Sequence, residues 1–266
     1  MYKTLRSFTH HENAFWTRSS ELIVESPLEI IINADRHVLI MCTPGMIREL
    51  VVGFLFTEGL INGVSDLEAC SISSMEKEEG EQVMEARVRV SSGTFHTLDA
   101  REKRISYSSC GICGKENYYE LKKGLGRVKS RHRFSMETLK AFPARMEAFQ
   151  PLYQKTGGAH AAILFDENGL PILHSEDMGR HNALDKVIGA ALIKGISRDD
   201  KILVSSGRSS LEMILKTARA GIPLFVAMSR PTSRAVEAAK FYNITLIDLA
   251  KDTNRIYTHA RRIKGF

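Results

Sequence analysis

The chain has 266 residues, of which 43% are hydrophobic and 26% are charged, so it can bury a sizeable core in one large domain or in two unequal ones. Its net charge of +6 suits an anionic partner such as a nucleotide, a phosphate-bearing cofactor or an acidic protein surface, but is too modest to indicate nucleic-acid binding. No apolar run follows the first basic residues, and no later stretch reaches the ~18 apolar residues that span a bilayer. We therefore expect a cytoplasmic protein without membrane association.

The first half of the chain predicts mixed α and β structure. Apolar runs at 28–33 and 37–41 predict a short hairpin, and Thr43-Pro44-Gly45 predicts a helix start, with Thr43 as the cap and the helix ending near Gly59. From 83 to 90, apolar and polar residues alternate, which is typical of a strand with one face in water.

Residues 91–133 combine little apolar periodicity with many charges and several glycines, and predict a long mobile loop that contains Cys110 and Cys113. Loops of this length inside a compact domain are usually functional or disordered.

After Phe134 the pattern becomes α/β. Strands are predicted at 160–165, 171–174, 201–205, 223–228 and 245–249, and helices at about 181–194, 210–220 and 233–241. This alternation predicts a sheet with parallel strands, and the Asp166-Glu167-Asn168-Gly169 turn predicts one antiparallel hairpin at its start. We accordingly divide the chain into an α+β N-terminal region, 1–133, which includes the cysteine loop at about 91–133, and an α/β domain, 134–266.

The strongest chemical signal is the pair Cys110 and Cys113. Two thiols at this spacing suit half of a zinc site, a reversible disulfide, or a nucleophile with a resolving thiol, and the spacing alone leaves these three open. The other cysteines, Cys42 and Cys70, form no second close pair, and a cytoplasmic setting would keep all four reduced. Nearby basic residues would lower the pKa of a thiol in this loop and favour reactivity.

A second polar cluster covers residues 157–161 and 174–186. Arg180 and His181 are predicted at the start of a helix, where a guanidinium and free backbone N–H groups form a plausible anion site. In the alternative interpretation, Arg180 pairs with Asp177 or Asp185, and His160 is a satisfied core histidine.

The third cluster consists of two loops rich in hydroxyl groups and arginine, at 205–210 and 229–233. Each follows a predicted strand and opens a predicted helix, the usual place for a ligand crevice in an α/β sheet, so Arg208 and its neighbours are candidates for phosphate binding. The Walker lysine and spacing are missing, so an ATPase is not indicated. Ordinary helix capping by serine and threonine is the alternative.

With these residues in view, the chain closely resembles the formate dehydrogenase accessory sulfurtransferases, the FdhD family. The matching segments are 25–28, 43–45, 53–59, 109–114, 156–160, 179–186, 206–208 and 257–258. The resemblance implies a cytidine deaminase-like mixed sheet flanked by helices, with a smaller α+β N-terminal region, working as a homodimer. It also implies a sulfurtransferase that accepts a persulfide from a cysteine desulfurase and passes the sulfur to Mo-bis(molybdopterin guanine dinucleotide). The loaded cofactor, bound as a substrate, then enters the formate dehydrogenase catalytic subunit, which needs this step for activity; no permanently bound metal is expected.

By motif position, the resemblance makes Cys110 the persulfide carrier and Cys113 the assisting or resolving thiol. It also assigns cofactor contacts to the segment Leu249, Ala250, Lys251, Asp252, Thr253 and Asn254. This segment is poorer in glycine and arginine than the family pattern and one residue shorter, although Lys251 and Arg255 still supply positive charge.

Two rival functions follow from other classes of protein. A zinc-dependent nucleoside deaminase is suggested by the expected fold and by His174-Ser175-Glu176, but Cys110 and Cys113 lie upstream of these residues and lack the proline of the deaminase motif. A non-catalytic chaperone that holds the molybdenum cofactor would use similar binding residues, so the sequence leaves it open.

Overall fold

The structure, a computed structural model, describes residues 1–76, 82–91, 104–107, 124–250 and 254–266. Its first element is an exposed two-stranded hairpin that the sequence did not predict. Strands β1 (Tyr2–His11) and β2 (Ala14–Ile23) are antiparallel and joined by Glu12 and Asn13, both with positive φ. Two such residues form the tight turn whose twist matches that of the flanking strands.

A five-stranded sheet in the order β5-β6-β3-β4-β7 follows. The predicted hairpin is confirmed as β3 (Ser26–Ile32) and β4 (Arg36–Cys42). Strands β5 (Leu67–Glu76) and β6 (Gln82–Val90) are antiparallel to each other. Strand β7 (Arg104–Tyr107) pairs in parallel with β4, so the prediction of an uninterrupted loop over 91–133 is wrong there. A parallel edge strand is hydrogen-bonded to residues that are distant in the sequence, so it leaves little local sequence pattern by which to predict it.

Strand β6 has its predicted alternation only in part. Arg87 and Arg89 are exposed, as expected, but Glu85 is buried and accepts a hydrogen bond from Arg87 Nε at 2.6 Å. The predicted water-facing side of this strand is therefore partly covered.

Helix α1 (Ile47–Thr57) is confirmed, but Thr43 does not cap it. The residue before the helix is Met46, with a φ of 52°, and no side chain among the described residues caps this end. The Thr43 hydroxyl instead accepts a hydrogen bond from the backbone N–H of Met178 (3.0 Å). Pro44, Gly45 and Met46 separate Thr43 from the first helical turn, so its hydroxyl is out of reach of that turn.

The second sheet has the order β13-β12-β11-β10-β8-β9. Its strands are β8 (His160–Phe165), β9 (Pro171–Asp177), β10 (Ile202–Arg208), β11 (Leu224–Ser229), β12 (Thr245–Asp248) and β13 (Arg255–Ile256). Strands β10, β11 and β12 are parallel, whereas β8 runs antiparallel to both β10 and β9. The five predicted strands and the initial hairpin are therefore confirmed; the cytidine deaminase-like description stays a prediction.

Helices cover both faces of this sheet. They are α2 (Met136–Lys140), α3 (Phe142–Glu147), α4 (Pro151–Thr156), α5 (Arg180–Ile193), α6 (Leu211–Arg219) and α7 (Ser233–Tyr242). Leu164, Leu203 and Phe225 face the core that includes α1, α5, α6 and α7, whereas Ile163 and Val204 face Phe142 and the other α2–α3 residues. No helix in the described part of the chain is long and apolar enough to span a membrane.

Two glycines let α1 and α5 cross with their backbones in contact. A Cβ atom added to Gly189 would lie 1.9 Å from the carbonyl oxygen of Glu49, and one added to Gly53 would lie 1.9 Å from that of Asp185. This crossing joins the core beneath the first sheet to the core beneath the second and sets the position of α5. The division into two domains at 133/134 stays a prediction.

Candidate functional site: a crevice at the carboxyl edge of the second sheet

Several loops meet at the edge where β10, β11 and β12 end. Strand β8 runs the other way, so its first residue, His160, lies at this same edge, and α5 begins here at Arg180. The carboxyl ends of parallel strands are the usual ligand-binding edge of an open α/β sheet. The predicted polar clusters around 157–161, 174–186 and 205–210 are therefore brought together.

A cleft of about 540 Å³ opens at this edge. Residues from three regions predicted to bind ligand share its wall: Gly157 and Gly158, Ser206, and Leu249 with Ala250. The rest of the wall comes from α3, α4 and nearby positions, namely Pro143, Met146, Gln150, Tyr153, Ala159, His160 and Met228. Sequence reasoning missed Met146, Gln150 and Tyr153, because α3 and α4 are short and contain no recognisable ligand-binding motif.

His160 and Ser206 are joined across the cleft floor. The Ser206 hydroxyl accepts a hydrogen bond from the backbone N–H of Ala161 (2.9 Å) and lies 3.4 Å from His160 Nδ1. Burial of the half-exposed ring, and then the positive charge of Arg180, lower the pKa of His160, with Asp177 acting in the opposite direction. His160 is therefore neutral at pH 7 and can donate or accept a hydrogen bond there.

Arg180 has neither of the carboxylate partners considered from the sequence. Asp177 pairs with Lys186 (2.7 Å) and Asp185 pairs with Lys216 (2.7 Å). The Arg180 Nε atom is buried and has no hydrogen-bond partner among the described residues. The Arg180 side chain lies against Gly207, where an added Cβ would meet its Cδ at 3.1 Å. A buried guanidinium donor without a partner beside a ligand cleft suits an anionic ligand.

The Asp177–Lys186 pair holds the start of α5 in place. Asp177 accepts hydrogen bonds from the backbone N–H groups of Thr43 (3.1 Å) and Gly179 (2.8 Å), and from Asn182 Nδ2 (3.0 Å). Lys186 Nζ also donates to the carbonyl oxygen of Thr43 (2.9 Å). Both side chains are almost completely buried, so this part of the 179–186 motif positions the helix rather than meeting a ligand.

A second buried charge network lies between α1, α5 and α6. Lys216 Nζ contacts Asp185 Oδ2 (2.7 Å), Glu58 Oε1 (3.2 Å) and the Thr57 hydroxyl (3.0 Å). Burial alone would lower the pKa of Lys216, but the surrounding carboxylates, led by Asp185, outweigh it and raise the pKa, so Lys216 is charged. His181 borders this network, with Nε2 3.3 Å from the Ser210 hydroxyl and 3.6 Å from Glu212 Oε2, and its ring is buried.

The two hydroxyl and arginine loops also cap their helices, as the alternative interpretation held. The hydroxyls of Ser210 and Thr232 accept hydrogen bonds from the first turns of α6 and α7 (3.5 and 3.2 Å). Arg208 is exposed at the end of β10, whereas the buried Ser209 hydroxyl has no partner among the described residues. Capping and ligand binding are thus compatible here, and the contacts of Arg180, His181 and Arg208 with the cofactor stay predictions.

The segment predicted to contact the cofactor is described in part. Leu249 and Ala250 line the cleft, and Asn254 is exposed with a φ of 44°. Lys251, Asp252 and Thr253 lie outside the described residues, so their predicted contacts stay untested.

Cys110 and Cys113 also lie outside the described residues. The same holds for the rest of 92–103 and 108–123, the parts of the predicted loop on either side of β7. The two described cysteines are poor nucleophiles. Burial, and then the negative charge of Asp177, raise the pKa of Cys42 to about 12. Burial also raises the pKa of the half-buried Cys70, with Arg48 acting in the opposite direction. Because the thiolate is the reactive form, neither cysteine is prepared for sulfur chemistry at pH 7.

The contacts of His174 and Glu176 oppose the deaminase interpretation. Both carboxylate oxygens of Glu176 accept hydrogen bonds from the backbone of α4, at Leu152 and Tyr153 (2.8 Å each). His174 is exposed, and its ring packs 5.0 Å from that of Phe149. Glu176 therefore caps a helix and is not free to act as a general acid and base.

Comparison with known proteins agrees with the family resemblance. The model of the FdhD/NarQ family matches residues 23–264. A protein named sulfur carrier protein FdhD from Thermoplasma acidophilum is 37% identical, over 97% of this chain and 92% of its own length. Relatives of the same name from Mycolicibacterium paratuberculosis and Sulfolobus acidocaldarius are each 38% identical, over 92% and 90% of this chain and 93% and 90% of their own.

A crystal structure described as a candidate formate dehydrogenase accessory protein from Desulfotalea psychrophila has the same fold. It superposes with a TM-score of 0.77 at 23% identity, covering 98% of this chain and 99% of its own. The family model and the relatives each match most of the chain and together extend across both sheets, so the chain belongs to the FdhD/NarQ family.

Proposed function

We propose that this protein is a sulfur carrier whose Cys110 accepts sulfur from the persulfide of a cysteine desulfurase. In this step the Cys110 thiolate attacks the outer sulfur of the donor persulfide, and the donor cysteine leaves as a thiolate. The sulfur then passes to Mo-bis(molybdopterin guanine dinucleotide) before the cofactor enters the formate dehydrogenase catalytic subunit. The proposal also includes a cytoplasmic location and a homodimer, on the strength of the family resemblance alone.

The thiol environments support Cys110 and Cys113 as the reactive pair. The other two cysteines have raised pKa values, and Cys42 is completely buried. Attack of the Cys113 thiolate on the inner sulfur of a Cys110 persulfide would form a Cys110–Cys113 disulfide and release the outer sulfur as hydrosulfide. The lone pair of the Cys113 thiolate forms the new S–S bond, the electron pair of the broken persulfide bond leaves with the hydrosulfide, and an external thiol then reduces the disulfide. The spacing of the two cysteines fits this resolving role.

The observation that best supports cofactor binding is the cleft at the carboxyl edge of the second sheet. It contains Leu249 and Ala250 from the predicted cofactor segment, two exposed glycines at 157 and 158 that allow close approach, and Ser206. Beside it are the Arg180 Nε atom and the Ser209 hydroxyl, which have no partner among the described residues. Guanidinium, hydroxyl and backbone N–H groups are the donors that bind phosphate, so this edge supports the proposal of a ligand that carries diphosphate groups.

Mass spectrometry tests the proposal. After incubation with a cysteine desulfurase and cysteine, the wild-type protein should gain about 32 Da, the mass of one sulfur atom, on the peptide containing Cys110. Cys110→Ala should lose this gain and fail to activate formate dehydrogenase. Cys70→Ala is the matched control, because it removes a described thiol with a raised pKa and should keep both properties.

The second candidate function is a non-catalytic chaperone for the same cofactor, since the cleft would serve it equally well. It would be favoured if the wild-type protein gained no sulfur while Cys110→Ala still activated formate dehydrogenase.

A further inference from the structure

A strip of four basic residues lies on the opposite edge of the second sheet from the cleft. From Arg127 to Phe134 burial alternates at every residue: Arg127, Lys129, Arg131 and Arg133 are exposed, whereas the residues between them are partly or completely buried. Alternation of this kind indicates an extended chain. Its ends are fixed, because Val128 N–H donates to the carbonyl oxygen of Tyr242 (2.9 Å) and Phe134 N–H donates to that of Arg262 (2.8 Å).

Two concavities lie along this basic strip, defined as residues 127–133. One, of about 670 Å³, is lined by Arg131 and Arg133 together with His259, Arg261 and Arg262. The other, of about 400 Å³, is lined by Arg127 and Lys129 together with Arg198 and Arg219. No aspartate or glutamate lines either concavity in the described part of the chain.

The positive charges of the strip are not neutralised within the described structure. Among the described residues, none of the four basic side chains of the strip forms an ion pair, nor does Arg261. Two guanidinium groups of the first concavity have neutral acceptors. Arg133 donates to the carbonyl oxygen of Ile263 (3.2 Å), and the buried Arg262 donates to Thr245 Oγ1 (3.0 Å) and to the carbonyl oxygen of Ser130 (3.2 Å). Two carboxylates lie near the strip: Asp199 is hydrogen-bonded to Ser197 and interacts electrostatically with His132 of the strip, and Asp200 pairs with Lys201.

The strip lies at the amino ends of the parallel strands. Arg262 is bonded to Thr245, the first residue of β12, and Arg198 Nε donates to the carbonyl oxygen of Ala220 (2.9 Å), at the end of α6 and before β11. The cleft lies at the carboxyl ends, so a ligand in the cleft does not occupy this surface.

We propose that the basic strip is a docking surface for an extended acidic segment of a partner protein. Exposed cations on alternate residues of an extended chain are about 6.6 Å apart, and four of them span about 20 Å. An extended peptide with Asp or Glu at alternate positions has the same repeat, so its carboxylates can meet successive cations of the strip. Concavities whose described lining is cationic and contains no acidic residue also attract such a partner electrostatically and speed its encounter. This surface is independent of the chemistry proposed for Cys110.

Fluorescence anisotropy with a labelled (Glu-Ser)₆ peptide tests the docking surface. At about 50 mM salt the wild-type protein should bind this peptide, whereas a (Gln-Ser)₆ peptide should not bind measurably. Raising the salt to about 500 mM should abolish binding, because the basic side chains of the strip are exposed to solvent and are screened by salt. The double variant Arg131→Gln and Arg261→Gln should bind the (Glu-Ser)₆ peptide roughly tenfold more weakly than the wild-type protein does. Both side chains are exposed and unpaired among the described residues, so the fold should be kept.

The matched control is the double variant Lys3→Gln and Arg18→Gln on the β1–β2 hairpin. It removes the same net charge from two exposed residues and should weaken binding less than about twofold. Equal weakening in both double variants would show a general charge effect and overturn the proposal. Equally tight binding of (Gln-Ser)₆ would also overturn it. Tighter binding of a single-stranded oligonucleotide of the same charge, lost in the Arg131/Arg261 variant, would replace the acidic protein by nucleic acid as the partner.

Discussion

The crossing of α1 and α5 gives the sharpest prediction about the fold, because Gly189→Ala places a methyl group where there is no room for one. The new Cβ atom would lie 1.9 Å from the carbonyl oxygen of Glu49 and 2.7 Å from the backbone nitrogen of Gly53. Both neighbours are helical backbone atoms and have no rotamer to change. Relief therefore requires α1 and α5 to move apart by more than 1 Å, to roughly normal contact distance.

That movement loosens the buried residues on both helices, including Leu50, Phe54, Leu184 and Ile188. Overpacking typically lowers the free energy of unfolding by about 1–3 kcal/mol. The helix movement that relieves the overpacking loosens the surrounding side chains and costs about 1–2 kcal/mol more. The better helix propensity of alanine returns about 1 kcal/mol. The net loss of unfolding free energy is therefore about 1–4 kcal/mol, which for a chain of this size lowers Tm by roughly 2–15 °C.

Thermal unfolding followed by circular dichroism measures this effect. Gly126→Ala is the matched control, because a Cβ atom added to Gly126 meets no atom of the described residues within 4 Å, so this substitution should change Tm little. Gly53→Ala should behave like Gly189→Ala, and the two together should cost less than the sum, since helices separated by one methyl group already accommodate much of the other. The reasoning is refuted if Gly189→Ala shifts Tm no more than Gly126→Ala does.

Three further predictions concern the groups around the cleft. Lys186→Met leaves the Asp177 carboxylate buried without its cation and should lower the free energy of unfolding in urea by about 3–5 kcal/mol. Adding Asp177→Asn to this variant should recover part of the loss. A loss below about 1 kcal/mol would contradict a buried ion pair. Glu176→Ala removes two hydrogen bonds at the start of α4 and should cost about 1–2 kcal/mol. The control Glu147→Ala should cost little, because the Glu147 side chain is exposed and forms no hydrogen bond with the described residues. Burial lowers the pKa of His160, so below about pH 6.5 the unfolded chain binds more protons than the folded chain does. The free energy of unfolding therefore decreases as the pH falls from about 6.5 through the lowered pKa of the folded state. His160→Gln should flatten this fall relative to wild type and to the exposed control His174→Gln, and identical slopes in all three proteins would argue against a lowered pKa.

Much of the second sheet was predictable from the sequence, because its strands are buried and appear as apolar runs bounded by turn residues. The hairpin through residues 166–169 and helices α5, α6 and α7 were likewise found to within a few residues. The β1–β2 hairpin was missed because none of its strand residues is buried and most are exposed, so no burial pattern distinguishes the strands from a loop. Thr43 was misassigned because a threonine before a proline resembles a helix cap, whereas its true partner is 135 residues away.

The family, the candidate pair of reactive cysteines and the segments that contribute to the cleft could be identified from the sequence alone, because each is recognised by short motifs of neighbouring residues. Only the tertiary structure decided which charges neutralise one another. Asp177 pairs with Lys186 and Asp185 with Lys216, and Arg180 is left without a carboxylate partner among the described residues. Only the tertiary structure, too, placed the basic strip and the cleft on opposite edges of one sheet. The reason is that Coulomb energy and burial depend on distances through space, and those distances are set by how the helices pack on the sheet.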